Sequence, residues 1–142
     1  NYINNMSKNW VNDIYAMHKK YGVRPAVRKM TRADLRKFLN FRVKFLEEEL
    51  NETKLAAEED YVDAEEVVDG LIDLCVVAIG TLDAFGINAN KAWDAVLEAN
   101  MNKEVGVKES RPNPLGLPDL IKPEGWTAPS HKGNYGDLEK LS

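Results

Sequence analysis

The segment FLEEELNETKLA, residues 45–56, decides the fold because its glutamates share a helix face with its phenylalanine. At about 100° per residue, Phe45, Glu49 and Glu52 project within roughly 40° of one line along a helix. Glu47 projects to the opposite side, where water is expected. A carboxylate directed at a protein core is costly unless a positive group meets it. The segment therefore predicts a helix whose inward acidic pair needs a cation.

A second acidic set follows on the next predicted helix. Glu66, Asp69 and Asp73 project within about 60° of one another, and their stripe continues into Val76 and Val77. Residues three or four apart on a helix have Cβ atoms about 5–6 Å apart, so each set can converge on one cation. Carboxylates this close in a weakly solvated site require raised pKa values or a bound metal. Because no histidine or cysteine belongs to the set, Mg²⁺ or Mn²⁺ is favoured over zinc. The alternative is that both sets are ordinary solvated helix faces.

The remaining pattern predicts an all-α fold. Apolar residues at spacings of three and four predict four helices, at about residues 7–20, 31–59, 63–85 and 89–103. Thr31 and Asp63 are suitable N-cap residues for the second and third helices, each with an acidic residue three positions on. The stretch GVRPAVRKM, residues 22–30, is expected to be a connector. No alternation typical of a strand is visible.

Length and composition predict one domain. The chain has 142 residues, of which 44% are hydrophobic and 30% charged, enough for a single core. Residues 1–104 are expected to form a helical bundle. Residues 105–142 are rich in Pro and Gly and are expected to form an extended tail laid over that bundle. The architecture is therefore a four- to five-helix bundle with an irregular C-terminal tail.

The third predicted helix suggests an oligomer. It is apolar almost all round, from Val67 to Leu82, and so leaves little surface for water. The neighbouring helices of one chain cannot cover such a surface, and an uncovered apolar patch marks an interface. We expect a homodimer or a dimer of dimers.

Charge and cysteine content narrow the class of protein. A net charge of −4 and a pI near 5.3 argue against a nucleic-acid partner, which would need a clustered basic face. The longest apolar run, residues 74–79, is too short to cross a membrane, and the N-terminal stretch lacks a signal-peptide core. A soluble, cytoplasmic protein is expected. The single cysteine, Cys75, is expected to be a small buried hydrophobe, and His18 and His131 are too isolated to be ligands or bases.

With these residues in view, the sequence resembles the all-α nucleoside triphosphate pyrophosphohydrolases. This MazG-like group includes dimeric dUTPases and phosphoribosyl-ATP pyrophosphohydrolase. Its signature is an ExxE on one helix and an ExxD on the next, here in EELNE, with Glu49 and Glu52, and in EVVD, with Glu66 and Asp69. The flanking stretches DGLIDLCVVAIGTLDAFGIN, EANMNK and IKPEGW resemble the phage and bacterial branch of the group.

The resemblance implies an activity and a set of site residues. The activity is Mg²⁺-dependent hydrolysis of a nucleoside triphosphate, with a dNTP favoured, to the monophosphate and pyrophosphate. The implied metal ligands are Glu49, Glu52, Glu66 and Asp69, with Asp73 as an added ligand. The resemblance also suggests Glu48 as the general base, and Asn100, Lys103 and Lys122 as contacts to the sugar or phosphates.

Two alternatives remain open at the level of sequence. One is a phosphoribosyl-ATP pyrophosphohydrolase, which shares the metal motifs but is not favoured by the tail IKPEGW. The other is a non-catalytic helical dimerisation module, which would gain nothing from inward carboxylates. The motifs do not specify the preferred base or sugar.

Overall fold

The computed structural model describes residues 9–58 and 60–142, which form two compact units. The first unit comprises the described residues up to Ala89 together with Tyr135–Ser142, and the second comprises Asn90–Asn134. The elements in chain order are α1 (Trp10–Tyr21), α2 (Val23–Arg28), α3 (Arg32–Glu58), α4 (Ala64–Ala84), α5 (Ala89–Met101), β1 (Glu104–Gly106), β2 (Asp119–Ile121) and a final 3-10 helix (Gly136–Leu141). The predicted all-α fold class is confirmed.

The predicted helix caps are in place. The Thr31 hydroxyl accepts a hydrogen bond from the Asp34 N–H at 3.2 Å, and the Asp63 carboxylate accepts one from the Glu66 N–H at 3.1 Å. Gly22 ends α1 in the left-handed conformation, with φ of 68°. The predicted start of the first helix at residue 7 and the predicted end of the second at residue 59 lie outside the described residues.

Two short elements were not predicted. The supposed connector at residues 22–30 contains α2, in which Pro25 occupies the first turn, where no intrahelical N–H is needed. In the supposed tail, β1 and β2 pair antiparallel, with Glu104 opposite Ile121 and Gly106 opposite Asp119. The expectation that the chain has no strand was wrong because three-residue strands are too short to produce an alternating pattern.

The first unit is organised around the antiparallel pair α3 and α4. At one end the Phe38 and Phe85 rings pack with centroids 5.6 Å apart. Phe85 belongs to a fully buried cluster that also contains Val27, Leu35 and Ala84. The 3-10 helix closes this end, because the Asp137 N–H donates to the Phe85 carbonyl at 2.7 Å. The core of the unit therefore lies at the C-terminal end of α4.

In the other half of the α3–α4 pair, a glycine allows the two helices to pack closely. A Cβ added at Gly70 would collide with the Thr53 hydroxyl and lie 3.2 Å from the Thr53 Cβ. Both residues are buried. The two helices approach closely here because position 70 carries no side chain.

Parts of α4 are not covered within the described chain. Val68, Leu71 and Ile72 are 62%, 52% and 45% exposed. The expectation that this helix is packed on several sides is therefore not met by the contacts of one chain. No single described helix is long and apolar enough to span a membrane, although α4 and α5 taken together as a bent pair satisfy such a test of length and composition.

We predict that Gly70→Ala lowers the free energy of unfolding by about 1 kcal/mol. Overpacking against Thr53 costs roughly 1–3 kcal/mol, whereas alanine gains about 1 kcal/mol in helix propensity over glycine. Urea denaturation measures the change. The double variant Gly70→Ala/Thr53→Ala is the control, because it removes the colliding hydroxyl and should recover part of the loss. A Gly70→Ala protein more stable than the parent would show that the helices are not held this closely.

Candidate functional site

The close contact between α3 and α4 sets the position of the acidic residues. Glu49 and Glu52 lie four positions and one position before Thr53 on α3, and Asp69 and Asp73 flank Gly70 on α4. The Thr53 hydroxyl donates to the Glu49 carbonyl at 2.8 Å, which fixes its rotamer inside the helix. Acidic side chains from both helices are therefore placed beside one buried contact. We refer to Glu49, Glu52, Asp69 and Asp73 as the acidic cluster.

The pKa of the Glu49 carboxyl is raised by partial burial and by other acids that lie close to it. Partial burial is the first cause that raises its pKa above the ordinary value. The negative charges of nearby acids raise this pKa further. From the largest effect to the smallest, these acids are Glu52, Asp73, Asp69 and Glu48. Because two of these acids are on α4, the cluster is built by both helices.

Asp73 is the other residue of the acidic cluster whose pKa is raised. Partial burial raises its pKa first, followed by the charge of Asp69 and a side-chain hydrogen bond with Asp69. Two carboxyl groups share a hydrogen bond only when one of them carries a proton. This hydrogen bond therefore favours the protonated form of Asp73, which is the direction in which its pKa is shifted.

The predicted ligand set is only partly assembled. Glu49 and Asp73 are half-buried, but Glu52, Glu66 and Asp69 are exposed, so the expectation that all five acids face inward was wrong. Glu52 and Asp69 each adjoin a buried contact residue and are turned about 100° away from it. Glu66 does not contribute to either raised pKa. Across residues 9–58 and 60–142, no three Asp, Glu, His or Cys side chains converge closely enough to hold a metal ion.

Arg42 is not the positive partner of the α3 glutamates. Arg42 lies two turns before Glu49, but its guanidinium donates to the Thr81 hydroxyl at 3.0 Å and the Val77 carbonyl at 3.1 Å. Burial lowers the Arg42 pKa. Within the described part of the chain, neither Glu49 nor Glu52 forms an ion pair. The acidic cluster thus retains uncompensated negative charge.

The second unit holds the remaining predicted site residues. Asn100 is half-buried near the end of α5, and its carbonyl accepts from the Lys103 N–H at 3.1 Å. Lys103 and Lys122 place their Nζ atoms 5.3 and 5.1 Å from the centroid of the Trp126 ring. The Trp126 indole N–H donates to the Ala99 carbonyl at 2.7 Å. One tryptophan, fixed to α5, thus contacts both lysines.

The hairpin register explains why the lysines meet. Glu104 pairs with Ile121, so the register continued by one residue sets Lys103 opposite Lys122. Like charges directly opposite each other across strands are destabilising. The face of the Trp126 ring offsets part of that repulsion through cation–π attraction. Neither ammonium group forms an ion pair within the described residues, which leaves both available to an anion.

The comparison with known families agrees with this arrangement of helices. A model of the phosphoribosyl-ATP pyrophosphohydrolase family matches residues 24–100, more than half of the chain. The chain belongs to the phosphoribosyl-ATP pyrophosphohydrolase family. Membership confirms the resemblance to the MazG-like all-α pyrophosphohydrolases, and the protein is a hydrolase acting on phosphoanhydride bonds. A comparison with curated proteins gave no match.

The family match covers most of the first unit but only residues 90–100 of the second. It runs from α2 into α5 and contains the acidic cluster, Glu66 and Asn100. Lys103, Lys122 and Trp126 lie beyond it. The roles of these residues therefore rest on this chain's own contacts.

The sequence alone did not predict the contacts or the burial of three residues. Trp126 lies in the stretch IKPEGW, where its position four residues after Lys122 is the only sequence signal of its contact with that lysine. His18 was expected to be isolated, yet its Nδ1 lies 2.9 Å from the Asp83 carboxylate and both residues are buried. Cys75 is half-buried rather than buried. No spacing in the sequence links His18 to Asp83, because the contact joins α1 to α4.

We predict that, with EDTA present, Asp73→Asn is at least as stable as the parent at pH 7. A carboxyl whose pKa is raised by folding gives up its proton at lower pH in the unfolded chain, so stability is lost as pH rises through the folded pKa. The advantage of the variant should disappear below about pH 4, where carboxyls are protonated. Denaturation at several pH values measures it, with Asp94→Asn on the exposed face of α5 as control. A variant advantage that grows on acidification would contradict the raised pKa.

Proposed function

We propose that this protein hydrolyses a nucleoside triphosphate, with a dNTP favoured, between its α- and β-phosphates in a Mg²⁺-dependent reaction. The products are the nucleoside monophosphate and pyrophosphate. The observation that carries the proposal is the acidic cluster, in which acids of both helices raise the pKa of Glu49 and no ion pair of the described chain compensates Glu49 or Glu52. Such a site stores negative charge that a divalent cation neutralises.

The donor set fits magnesium or manganese. All its groups are carboxylate oxygens, which hard divalent cations prefer. Glu49, Glu52, Asp69 and Asp73 would hold the ion, and rotation of Glu66 on the exposed turn of α4 would add a fifth carboxylate. When bound, the ion neutralises the triphosphate and lowers the pKa of an attacking water. Glu48, whose charge acts on Glu49, is the proposed general base.

The lysine pair of the second unit offers positive charge to a phosphate group. Lys103 and Lys122 would bind phosphate oxygens, and Asn100 would contact the sugar or a phosphate. Trp126 is a positioning residue in this proposal, because its ring lies against both ammonium groups while its N–H is fixed to α5. Neither lysine has to give up an ion pair of the described chain in order to bind the substrate.

Phosphoribosyl-ATP is the second candidate substrate, because it names the matched family. Both candidates use the same acidic residues, so the cluster does not discriminate between them. A panel of canonical and modified dNTPs, NTPs and phosphoribosyl-ATP, assayed for pyrophosphate release with and without Mg²⁺, separates them. Preferential release from phosphoribosyl-ATP would replace the dNTP assignment.

We further propose that the protein acts as a homodimer or a dimer of dimers. In the first unit, an apolar groove between α1 and α4 is lined by residues that include Trp10, Ile14, Ile72 and Ile79. Together with the exposed Val68 and Leu71, it forms a surface that a second chain would cover. Light scattering measures the assembly. A cytoplasmic location without nucleic-acid or membrane partners stays a prediction.

We predict that Glu52→Gln or Asp69→Asn reduces Mg²⁺-dependent pyrophosphate release by about two orders of magnitude or more. Each change removes a charged ligand at the rim of the cluster while relieving repulsion, so the helical fold should be retained. Glu47→Gln is the matched control, because Glu47 is exposed on α3 and does not act on either raised pKa. Full activity of both cluster variants would remove the metal assignment.

We predict that Trp126→Ala raises KM roughly five- to thirtyfold and leaves kcat little changed. The two cation–π contacts are each worth about 0.5–1 kcal/mol, and they orient groups that bind the ground state and the transition state alike. Trp126→Phe keeps a ring but loses the bond to Ala99, so it should have an intermediate effect. Trp93→Ala is the control because Trp93 is 67% exposed on α5, the helix to which the Trp126 indole is hydrogen-bonded. A loss confined to kcat would contradict a positioning role.

A further inference from the structure

Positive charge is concentrated in one part of this acidic chain. Residues 19–44 contain ten lysines and arginines and one acidic residue, although the chain as a whole carries a net charge of −4. The expectation from average charge that no basic face exists therefore overlooked a local excess. This segment includes the end of α1, the whole of α2 and the first half of α3.

The turn from α1 into α2 forms a cavity within this segment. Its volume is about 470 Å³, and its lining includes Lys19, Arg24, Arg28 and Lys29 but no acidic residue. We call this cavity the elbow pocket. Drug-sized and nucleotide-sized ligands occupy pockets of roughly 300–1,000 Å³. The elbow pocket thus combines the size of a ligand site with charge of one sign.

The cations of the elbow pocket are not neutralised by the described chain. None of the four basic residues forms an ion pair there, and the Arg24 guanidinium lies 5.7 Å from the centroid of the Tyr15 ring. Asp137 of the final 3-10 helix binds Lys140 at 3.1 Å, and Lys140 donates to the carbonyl of the pocket residue Arg28 at 3.2 Å. The Asp137 carboxylate is therefore already paired with a lysine outside the pocket lining.

We propose that the elbow pocket binds a small anion that carries a di- or triphosphate group. Two guanidinium groups provide planar forks that match phosphate oxygens, and two ammonium groups add point charge. An anion would relieve the repulsion among the four cations. The concave shape favours a compact ligand over a long nucleic acid, whose binding requires a stripe of phosphate contacts along a surface.

This pocket is separate from the proposed catalytic site. It shares no residue with the acidic cluster, and α1 reaches α4 beside it through His18 and Asp83. Asp83 is ten residues beyond Asp73 on α4, which corresponds to about 15 Å along the helix. The inference therefore does not depend on the proposed hydrolysis, and a ligand bound here would be an effector or a second nucleotide.

The test is calorimetric titration of the whole protein with inorganic tripolyphosphate in EDTA, so that the acidic cluster holds no metal. The pocket variant Arg28→Gln/Lys29→Gln removes two lining charges. The matched variant Arg36→Gln/Lys37→Gln removes two exposed charges of α3 that lie outside the pocket. Urea denaturation of both variants verifies that each is folded. A 20-base-pair DNA duplex provides a second titrant.

We expect one site per chain, with tripolyphosphate bound at least tenfold more weakly by the pocket variant and within about twofold of the parent by the matched variant. Equal weakening in both variants would show attraction to net charge only and would overturn the site. No measurable binding of tripolyphosphate would also overturn it. Tighter binding of the duplex than of tripolyphosphate, lost in the pocket variant, would replace the small anion with nucleic acid.

Discussion

The contact between Gly70 and Thr53 is the constraint on which the acidic cluster depends. Without a side chain at position 70, α4 lies against the buried Thr53, and the acids on either side of this contact come from both helices. A wider spacing would keep every helix and every carboxylate but would weaken their mutual effect, since charge interactions fall with distance and with hydration. The raised pKa values of Glu49 and Asp73 are therefore consequences of helix packing.

The same packing explains why repulsion is tolerated. Phe38 and Phe85 close the opposite end of the α3–α4 pair over the buried cluster, and Arg42 satisfies two oxygens of α4 between the two ends. Apolar burial at one end thus stabilises a pair of helices that repel each other at the other end. Such a local conflict with the rules of stability is expected at functional sites rather than in structural cores.

Local rules predicted much of this fold from the sequence. The caps at Thr31 and Asp63, the end of α1 at Gly22 and the all-α class follow from short-range chemistry, which depends on residues three or four apart. The helix phase also placed Glu49 on the partly buried side. The helix phase was wrong for Glu52, which is exposed although the next residue, Thr53, is buried. Consecutive residues differ by about 100° around a helix, so a small error in phase exchanges the two.

Long-range partners were not predictable in this way. His18 pairs with Asp83 across 65 positions, and Lys103 meets Lys122 only because a three-residue ladder sets their register. The average charge was misleading for a related reason: net charge sums over the whole chain, whereas ligands respond to the local field. Within the first unit, the acidic cluster is negative and the elbow pocket is positive, and the two share no residue. Because each retains its charge without a partner in the described chain, the first unit stores electrostatic energy at both places, and oppositely charged ligands are the most direct means of releasing it.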